Sequence, residues 1–267
     1  MPERCPRELI ELAARIADVA GTITRKHYRT AVTVEDKPDA SPCTVADREA
    51  ESAMRGLIAA ECPEHGISGE EFGFDRPDAD YVWVLDPIDG TRAFICGIPL
   101  YTTLVALTLG GRPLLGLIDQ PVTGERWVGA SGWPTTLNGQ AVRTRRCPDP
   151  AEAYLCSTTP AMFEGADASA FARVAEQVRS VRYGTDGYAY GLLAGGWVDL
   201  VVEADLAPYD YLSHVPVVAG AGGVVTDWQG RNLDLSLGAA RIVACGDPVL
   251  HARTLELLNA AERPHPE

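Results

Sequence analysis

Two carboxylates three residues apart are the first groups in this chain whose types and spacing could do chemistry. Asp86 and Asp89 stand in the run Trp83-Val84-Leu85-Asp86-Pro87-Ile88-Asp89-Gly90-Thr91-Arg92-Ala93-Phe94. Carboxylates at a strand end, spaced for a turn, can converge on a hard cation such as Mg2+. Gly90 and Thr91 then offer backbone N–H groups at the start of a helix, where a phosphate is well received. A cation site and an anion site so close together suggest phosphoryl chemistry. The plainer alternative is an Asp-Gly turn between two strands, and this run alone does not separate the two.

Three other acidic sites, one of them a glutamate pair, carry the same double reading. Glu70 and Glu71 lie between Gly69 and Gly73, as a solvated turn or as a glycine-rich loop that completes a metal site. Asp47, three residues after Thr44, suits the acidic member of a capping box as well as it suits catalysis. Asp210 follows Pro208 in the first turn of a helix, where it is a dipole partner worth roughly 0.3–1 kcal/mol or a further ligand. The glycines at 220, 222 and 223 are read as helix end and close packing.

The elements that must position these groups follow from the hydrophobic pattern. Residues 81–85 read as a buried strand, ended at Asp86-Pro87 because proline cannot continue the ladder of a central strand. Leu9, Ile10, Ala13, Ile16, Ala17 and Ala20 recur at helical spacing across 7–28. The Pro- and Asp-rich 35–42 is a loop. A second helix begins at Thr44, with Ala50, Met54, Leu57 and Ile58 on its inner face. Strands are expected over 102–109, 113–119 and 125–129, and a seam near 147–151 divides an N-terminal α+β half, 1–150, from a C-terminal α/β half, 151–267. Beyond the seam, strands at 153–157, 181–183 and 200–203 alternate with helices at 168–178 and 188–195. One helix runs from Pro208 to the glycines, before a strand at 224–227. The alternation argues for an α/β layer.

Composition removes several classes. A chain of 267 residues can bury a sizeable core, as one domain or two packed halves. A net charge of −14 argues against a nucleic-acid partner, and leaves an anionic substrate in need of a metal. No apolar run reaches the ~18 residues of a membrane span, and Met1-Pro2-Glu3-Arg4 lacks the apolar core of a signal peptide. Seven cysteines without a Cys-x-x-Cys motif make a disulfide framework or a zinc site a poor reading. A cytoplasmic protein is expected. The five histidines are dispersed, His214 being read as packed or surface, and the tail 263–267 as disordered.

Asp86-Pro87-Ile88-Asp89-Gly90-Thr91 with Phe94, Gly69-Glu70-Glu71 upstream, and Tyr209-Asp210 before an Ala-Gly-Gly run together resemble the inositol monophosphatase family. The resemblance runs from Lys37 to about Leu258. It implies a layered α-β-α-β-α sandwich of the inositol monophosphatase/fructose-1,6-bisphosphatase type, an α/β fold, and a Mg2+-dependent, lithium-sensitive phosphomonoesterase acting as a homodimer. By the same resemblance Glu70, Asp86 and the carbonyl of Ile88 would hold one Mg2+, and Asp86, Asp89 and Asp210 a second. A third, looser ion would lie near Glu70. Thr91, hydrogen-bonded to Asp47, would with Glu70 orient the attacking water, and the N–H groups of Gly90 and Thr91 would bind the phosphate. No phosphoenzyme is implied. Tyr209 stands where the family usually has tryptophan, which keeps an aromatic ring of similar size.

Within the superfamily the chain looks most like the histidinol-phosphate phosphatases. The likeness rests on Ile95-Cys96-Gly97-Ile98-Pro99, Ile118-Asp119-Gln120-Pro121, Gly184-Thr185-Asp186-Gly187-Tyr188 and Ala207-Pro208-Tyr209-Asp210. Inositol-specific relatives tend to carry a small apolar residue at Asp186. Asp186 and Glu203 at the leaving-group side suit a cationic alcohol, with Asp89, Arg92 and Thr185 as further substrate contacts, although Arg92 could equally face the surface. Alternatives remain a broad inositol- or sugar-phosphate phosphatase, or a non-catalytic Mg2+ or phosphate binder. A haloacid-dehalogenase-type phosphatase needs Asp-x-Asp, which Asp86-Pro87-Ile88 does not provide.

Overall fold

Period-two alternation in one strand sets the layering. In the run at 81–89, Val82 and Val84 are buried in one apolar cluster and Trp83 and Leu85 in another, so both faces of the sheet are covered. The structure is a computed structural model, and it describes residues 4–31, 33–36 and 42–260.

The first helix, α1 (Arg7–His27), precedes a small antiparallel pair, β1 (Val34–Asp36) and β2 (Pro42–Thr44), and then α2 (Val45–Glu61). Next come β3 (Gly66–Gly69), β4 (Gly73–Asp75), β5 (Tyr81–Asp89), the short α3 (Thr91–Ile95), and β6 (Thr102–Leu109). The strands β7 (Arg112–Gln120), β8 (Glu125–Ala130), β9 (Trp133–Leu137) and β10 (Gln140–Ala141) complete an eight-stranded sheet of order β10-β9-β8-β7-β6-β5-β3-β4. Only its β3–β5 pair is parallel.

The later elements are β11 (Tyr154–Ser157), α4 (Ala166–Ala175), β12 (Ser180–Tyr183), α5 (Tyr188–Ala194), β13 (Leu200–Leu206), α6 (Pro208–Tyr211), α7 (His214–Gly220), β14 (Val224–Asp227), β15 (Ala240–Cys245) and α8 (Pro248–Leu258). They form a five-stranded mixed sheet of order β12-β11-β13-β15-β14 with its helices.

Three apolar clusters hold the layers together. Leu12, Ile16, Met54 and Ile58 of α1 and α2 pack on Trp83, Leu85, Val105 and Leu117. On the other face of that sheet, Leu104, Ile118 and Trp127 meet Tyr190, Leu193 and Val217 of α5 and α7, which in turn meet Val201 and Ile242 of the second sheet. Phe171, Val174 and Leu250 of α4 and α8 cover its outer face over Leu155, Val202 and Val243. Each such side chain fully buried contributes roughly 1.5–3 kcal/mol. The result is the α-β-α-β-α sandwich that the resemblance implied.

Three local expectations are corrected. Strand β5 does not stop at Asp86 but runs through Pro87 to Asp89. Asp86 pairs with Leu104 and Asp89 with Thr102, so one extra residue sits in a bulge. A bulge interrupts the ladder where proline would lack a donor, and Thr103 Oγ1 closes it by donating to the Pro87 carbonyl (2.8 Å). The helix expected from Pro208 to the glycines is two, α6 and α7, with a turn at 212–213 between them. The 35–42 loop begins and ends inside the β1–β2 pair, and its residues 37–41 lie outside the described residues, as do Met1 to Glu3 and the tail 263–267. No helix among the described residues is long and apolar enough to cross a membrane.

Candidate active site

The bulge in β5 is what brings the carboxylates together. Asp86 is buried at its start, and its Oδ1 accepts from the backbone N–H of Ile88 (3.0 Å), which fixes the turn of the chain. Gly90 follows in the left-handed region (φ 84°), where a side chain would be strained; its Cβ position lies in contact range of Asp186 and Tyr101. That glycine turns the chain into α3, so Gly90 and Thr91 lie where N–H groups have no partner inside the helix.

Asp89 leaves the bulge toward the second half of the chain. Its Oδ2 accepts from Thr102 Oγ1 (2.9 Å) and from the backbone N–H of Gly187 (2.6 Å). A Cβ on residue 187 would lie 2.5 Å from that same oxygen, so the approach requires glycine. Asp210 arrives on α6 at the third helical position, its Oδ2 accepting from Ala207 N (2.7 Å). Carboxylate oxygens of Asp86, Asp89 and Asp210 then all lie within 4.8 Å of one another. Glu70, just after β3, joins close enough for its side chain to act on the Asp86 carboxyl.

The electrostatics of this cluster favour a cation. Burial first, then the charges of Glu70, Asp89 and Asp210, hold the Asp86 carboxyl well above the usual carboxylate range. Burial, with the charges of Asp186 and Asp210, does the same to Asp89, against the donors of Gly187 and Thr102. Converging oxygen donors with no nitrogen or sulfur among them suit a hard divalent ion rather than zinc or copper. Asp47 Oδ1 is buried nearby in charge terms, beside Glu70 and Glu71, and has no hydrogen-bond partner. The residues present therefore fit a divalent cation of the Mg2+ type.

Asp47 itself is a helix cap. Its Oδ2 accepts from the backbone N (2.8 Å) and Oγ1 (2.6 Å) of Thr44, closing the capping box that the sequence suggested. Burial pushes its carboxyl up to about 7, with the Thr44 bonds opposing. The hydrogen bond expected between Thr91 and Asp47 is not formed. Thr91 Oγ1 donates instead to the carbonyl of Ile88 (2.9 Å), the acceptor that the Gly90 turn brings back over it.

On the far side of the Gly90 turn, Arg92 and Thr158 share a cavity of about 700 Å3 with Met162, Glu164, Asp205 and Arg241. Asp186 takes a positive φ of 43°, a conformation costly for a non-glycine residue and frequent at binding sites. Burial raises its carboxyl to about 6, with the charge of Arg92 pulling it back. The hydroxyl of Thr185 is buried beside Cys156.

Glu203 requires a correction. It is 2% exposed, and its Oε1 accepts from Thr158 N (3.0 Å) and Thr158 Oγ1 (2.5 Å) while Oε2 accepts from Tyr190 OH (2.8 Å). Glu203 is buried and does not itself line the cavity, which it borders through Thr158. Burial raises its carboxyl to about 7. His214 is a packed residue, stacked on Tyr190 with ring centroids 3.8 Å apart and driven down to about 3 by burial.

Sequence reasoning gave no role to Thr102, Thr158, Tyr190 or Gly187, the last quoted only as part of a motif. Only Thr102 left a usable signal, since antiparallel pairing of the two strands flanking the turn places it opposite Asp89.

Comparison with known proteins completes the picture. The model of a family described as the inositol monophosphatase family matches residues 6–263. A bifunctional phosphatase, IMPL2, of Arabidopsis thaliana is 48% identical over 251 residues, covering 91% of this chain and 72% of the relative. A histidinol-phosphatase of Chlorobaculum parvum is 33% identical over 227 residues, covering 83% of this chain and 86% of its own. Among solved structures, an inositol monophosphatase from Zymomonas mobilis superposes with a TM-score of 0.87 at 46% identity, over 94% of this chain and 98% of that one.

Proposed function

This chain belongs to the inositol monophosphatase family of metal-dependent phosphatases, and on that footing we propose that it hydrolyses L-histidinol phosphate to L-histidinol and phosphate. The observation that carries the choice of substrate is Asp186. It is a carboxylate held at positive φ against the phosphate-side glycine Gly90, on the wall where the alcohol would lie. Histidinol is a cationic alcohol, and a carboxylate there complements its ammonium group. The relative named as a histidinol-phosphatase supports the same reading.

In this reading Glu70, Asp86, Asp89, Asp210 and the carbonyl of Ile88 hold two to three Mg2+ ions. When bound, such ions lower the pKa of a coordinated water and neutralise charge on the phosphoryl and leaving oxygens. The protein's own groups do the rest. Gly90 and Thr91 direct N–H groups at the phosphate from the start of α3. The Thr91 hydroxyl spends its proton on Ile88 and so presents lone pairs that can accept from the attacking water, which Glu70 helps to orient. Thr102 and Gly187 hold Asp89 in one orientation. Asp186, with Arg92 beside it, and Thr158, set by Glu203, receive the alcohol.

The same reading takes residues 1–150 and 151–267 as the two halves of the enzyme, with Asp210 supplied from the second. It also implies lithium sensitivity, a homodimer and work in the cytoplasm. A broader inositol-phosphate phosphatase is the second reading, favoured by the 46% identical structure from Zymomonas mobilis. The test is Mg2+-dependent release of phosphate from L-histidinol phosphate, abolished in Asp89→Asn.

A further inference from the structure

Helix α2 carries Asp47, Glu51 and Arg55 at successive intervals of four, on one face. Asp47 caps the helix, but Glu51 has no such explanation. Its side chain is wholly buried, a costly place for a carboxylate unless its oxygens are well satisfied. Oε1 accepts from Arg55 Nε (2.7 Å) and from the backbone N–H of Phe72 (3.2 Å), and Oε2 from the backbone N–H of Glu71 (2.7 Å). Gly69 meets the same carboxylate so closely that a Cβ there would lie 2.0 Å from Oε1. Arg55 also donates to the Gly73 carbonyl and lies over the Phe72 ring, 5.9 Å from its centroid.

Apart from the Arg55–Glu51 pair within α2, these contacts fall on the turn that holds Glu70. On its near side, Glu70 N donates to the carbonyl of Leu85 (3.2 Å), the residue before Asp86. On its far side, the next two N–H groups belong to Glu51. The turn is not held by apolar burial of its own, since Phe72 and Phe74 are 51% and 56% exposed. The β3–β4 pairing closes the turn between Gly69 and Gly73, and polar contacts from α2 hold the residues between them.

We propose that Glu51 is a positioning residue whose buried carboxylate moulds the 69–73 turn so that Glu70 meets Asp86, and thereby sets the affinity of the site for its cation. The inference rests on the reading of Glu70 as a metal ligand. Glutamine is the informative replacement. It keeps the shape but has one acceptor oxygen, and its NH2 would face an N–H donor of Glu71 or Phe72.

The experiment uses the full chain stripped of metal, titrated with Mg2+ by calorimetry, alongside the Mg2+ dependence of p-nitrophenyl phosphate hydrolysis. Glu51→Gln should weaken Mg2+ binding about tenfold or more, as loss of a supporting contact around a metal ligand does. Its kcat should recover at saturating Mg2+, and its KM should stay within about twofold of the parent. A merely structural role would lower thermal stability and leave the Mg2+ dissociation constant within about twofold, which would overturn the proposal. If circular dichroism shows Glu51→Gln unfolded, Gly69→Ala, which displaces the carboxylate without removing it, is judged by the same thresholds. Glu70→Gln separates the two layers of the argument. Unchanged Mg2+ affinity in Glu70→Gln overturns the proposal through its premise. Weakened affinity there beside normal affinity in Glu51→Gln overturns the proposal alone.

Discussion

Thr91 and Ile88 face each other across the Gly90 turn, and the hydroxyl of the first donates to the carbonyl of the second at 2.9 Å. The Thr91 proton therefore has an acceptor that does not depend on Asp47, whose Oδ2 is taken up by Thr44. Thr91→Val should lower kcat about a hundredfold or more, the scale of a lost proton-handling group. Asp47→Asn keeps an amide oxygen for the cap, and should cost about 1 kcal/mol of stability at most and about tenfold in kcat or less. Steady-state rates at saturating Mg2+ check this. Equal losses in the two variants would return Asp47 to the role of Thr91's obligatory partner.

Burial of so many carboxyls gives stability a definite dependence on pH. Asp47 and Glu203 are raised from their ordinary values of 3.8 and 4.5 to about 7, and Asp186 to about 6. A carboxyl raised in the folded state binds its proton more tightly there than in the unfolded chain. Its contribution is thus fully present below about pH 4 and is lost as pH rises through 6 to 7. For Glu203 alone the loss is on the order of 3 kcal/mol. The metal-free protein, melted in EDTA, should fall in Tm between pH 5 and pH 8. Mg2+ should restore most of that fall, and Glu203→Gln should flatten part of the slope without Mg2+. A Tm that rises over this range in EDTA would contradict the account.

Asp186 discriminates between substrates if it faces the ammonium group. Asp186→Ala should then raise KM for L-histidinol phosphate by about tenfold or more while changing KM for a neutral phosphate ester by less than about threefold. Side-by-side kinetics with the two esters settle it. Equal effects would mean that Asp186 serves the Gly90 turn and not the alcohol.

Thr158 is expected to transmit what Glu203 does. Because Glu203 reaches the cavity only through the backbone and hydroxyl of Thr158, Thr158→Val and Glu203→Gln should shift KM in the same direction and combine less than additively. Full additivity in the double variant would point to a separate contact by Glu203.

What the sequence made legible was local. The Asp86-to-Thr91 run showed its chemistry because the bulge, the glycine turn and the helix start are consecutive, and Thr44 and Asp47 showed a capping box because its spacing is fixed. The all-apolar run at 81–85 likewise read as a buried strand, and the structure buries its two faces in different apolar clusters. What stayed hidden depended on partners distant in sequence. Gly187 meets Asp89 across 98 residues and Thr158 meets Glu203 across 45, and no spacing rule reaches so far. Pro87 misled for the same reason, since whether a proline ends a strand or sits in a bulge is decided by the register of the strand opposite.

The central claim is the substrate, and one comparison tests it most directly. Phosphate release with saturating Mg2+ is measured from L-histidinol phosphate and from myo-inositol 1-phosphate on the same preparation, with Asp89→Asn as the blank. The account predicts a kcat/KM preference of about a hundredfold or more for L-histidinol phosphate, near 2.7 kcal/mol of transition-state discrimination. Comparable values for the two esters, or release from neither, would contradict it.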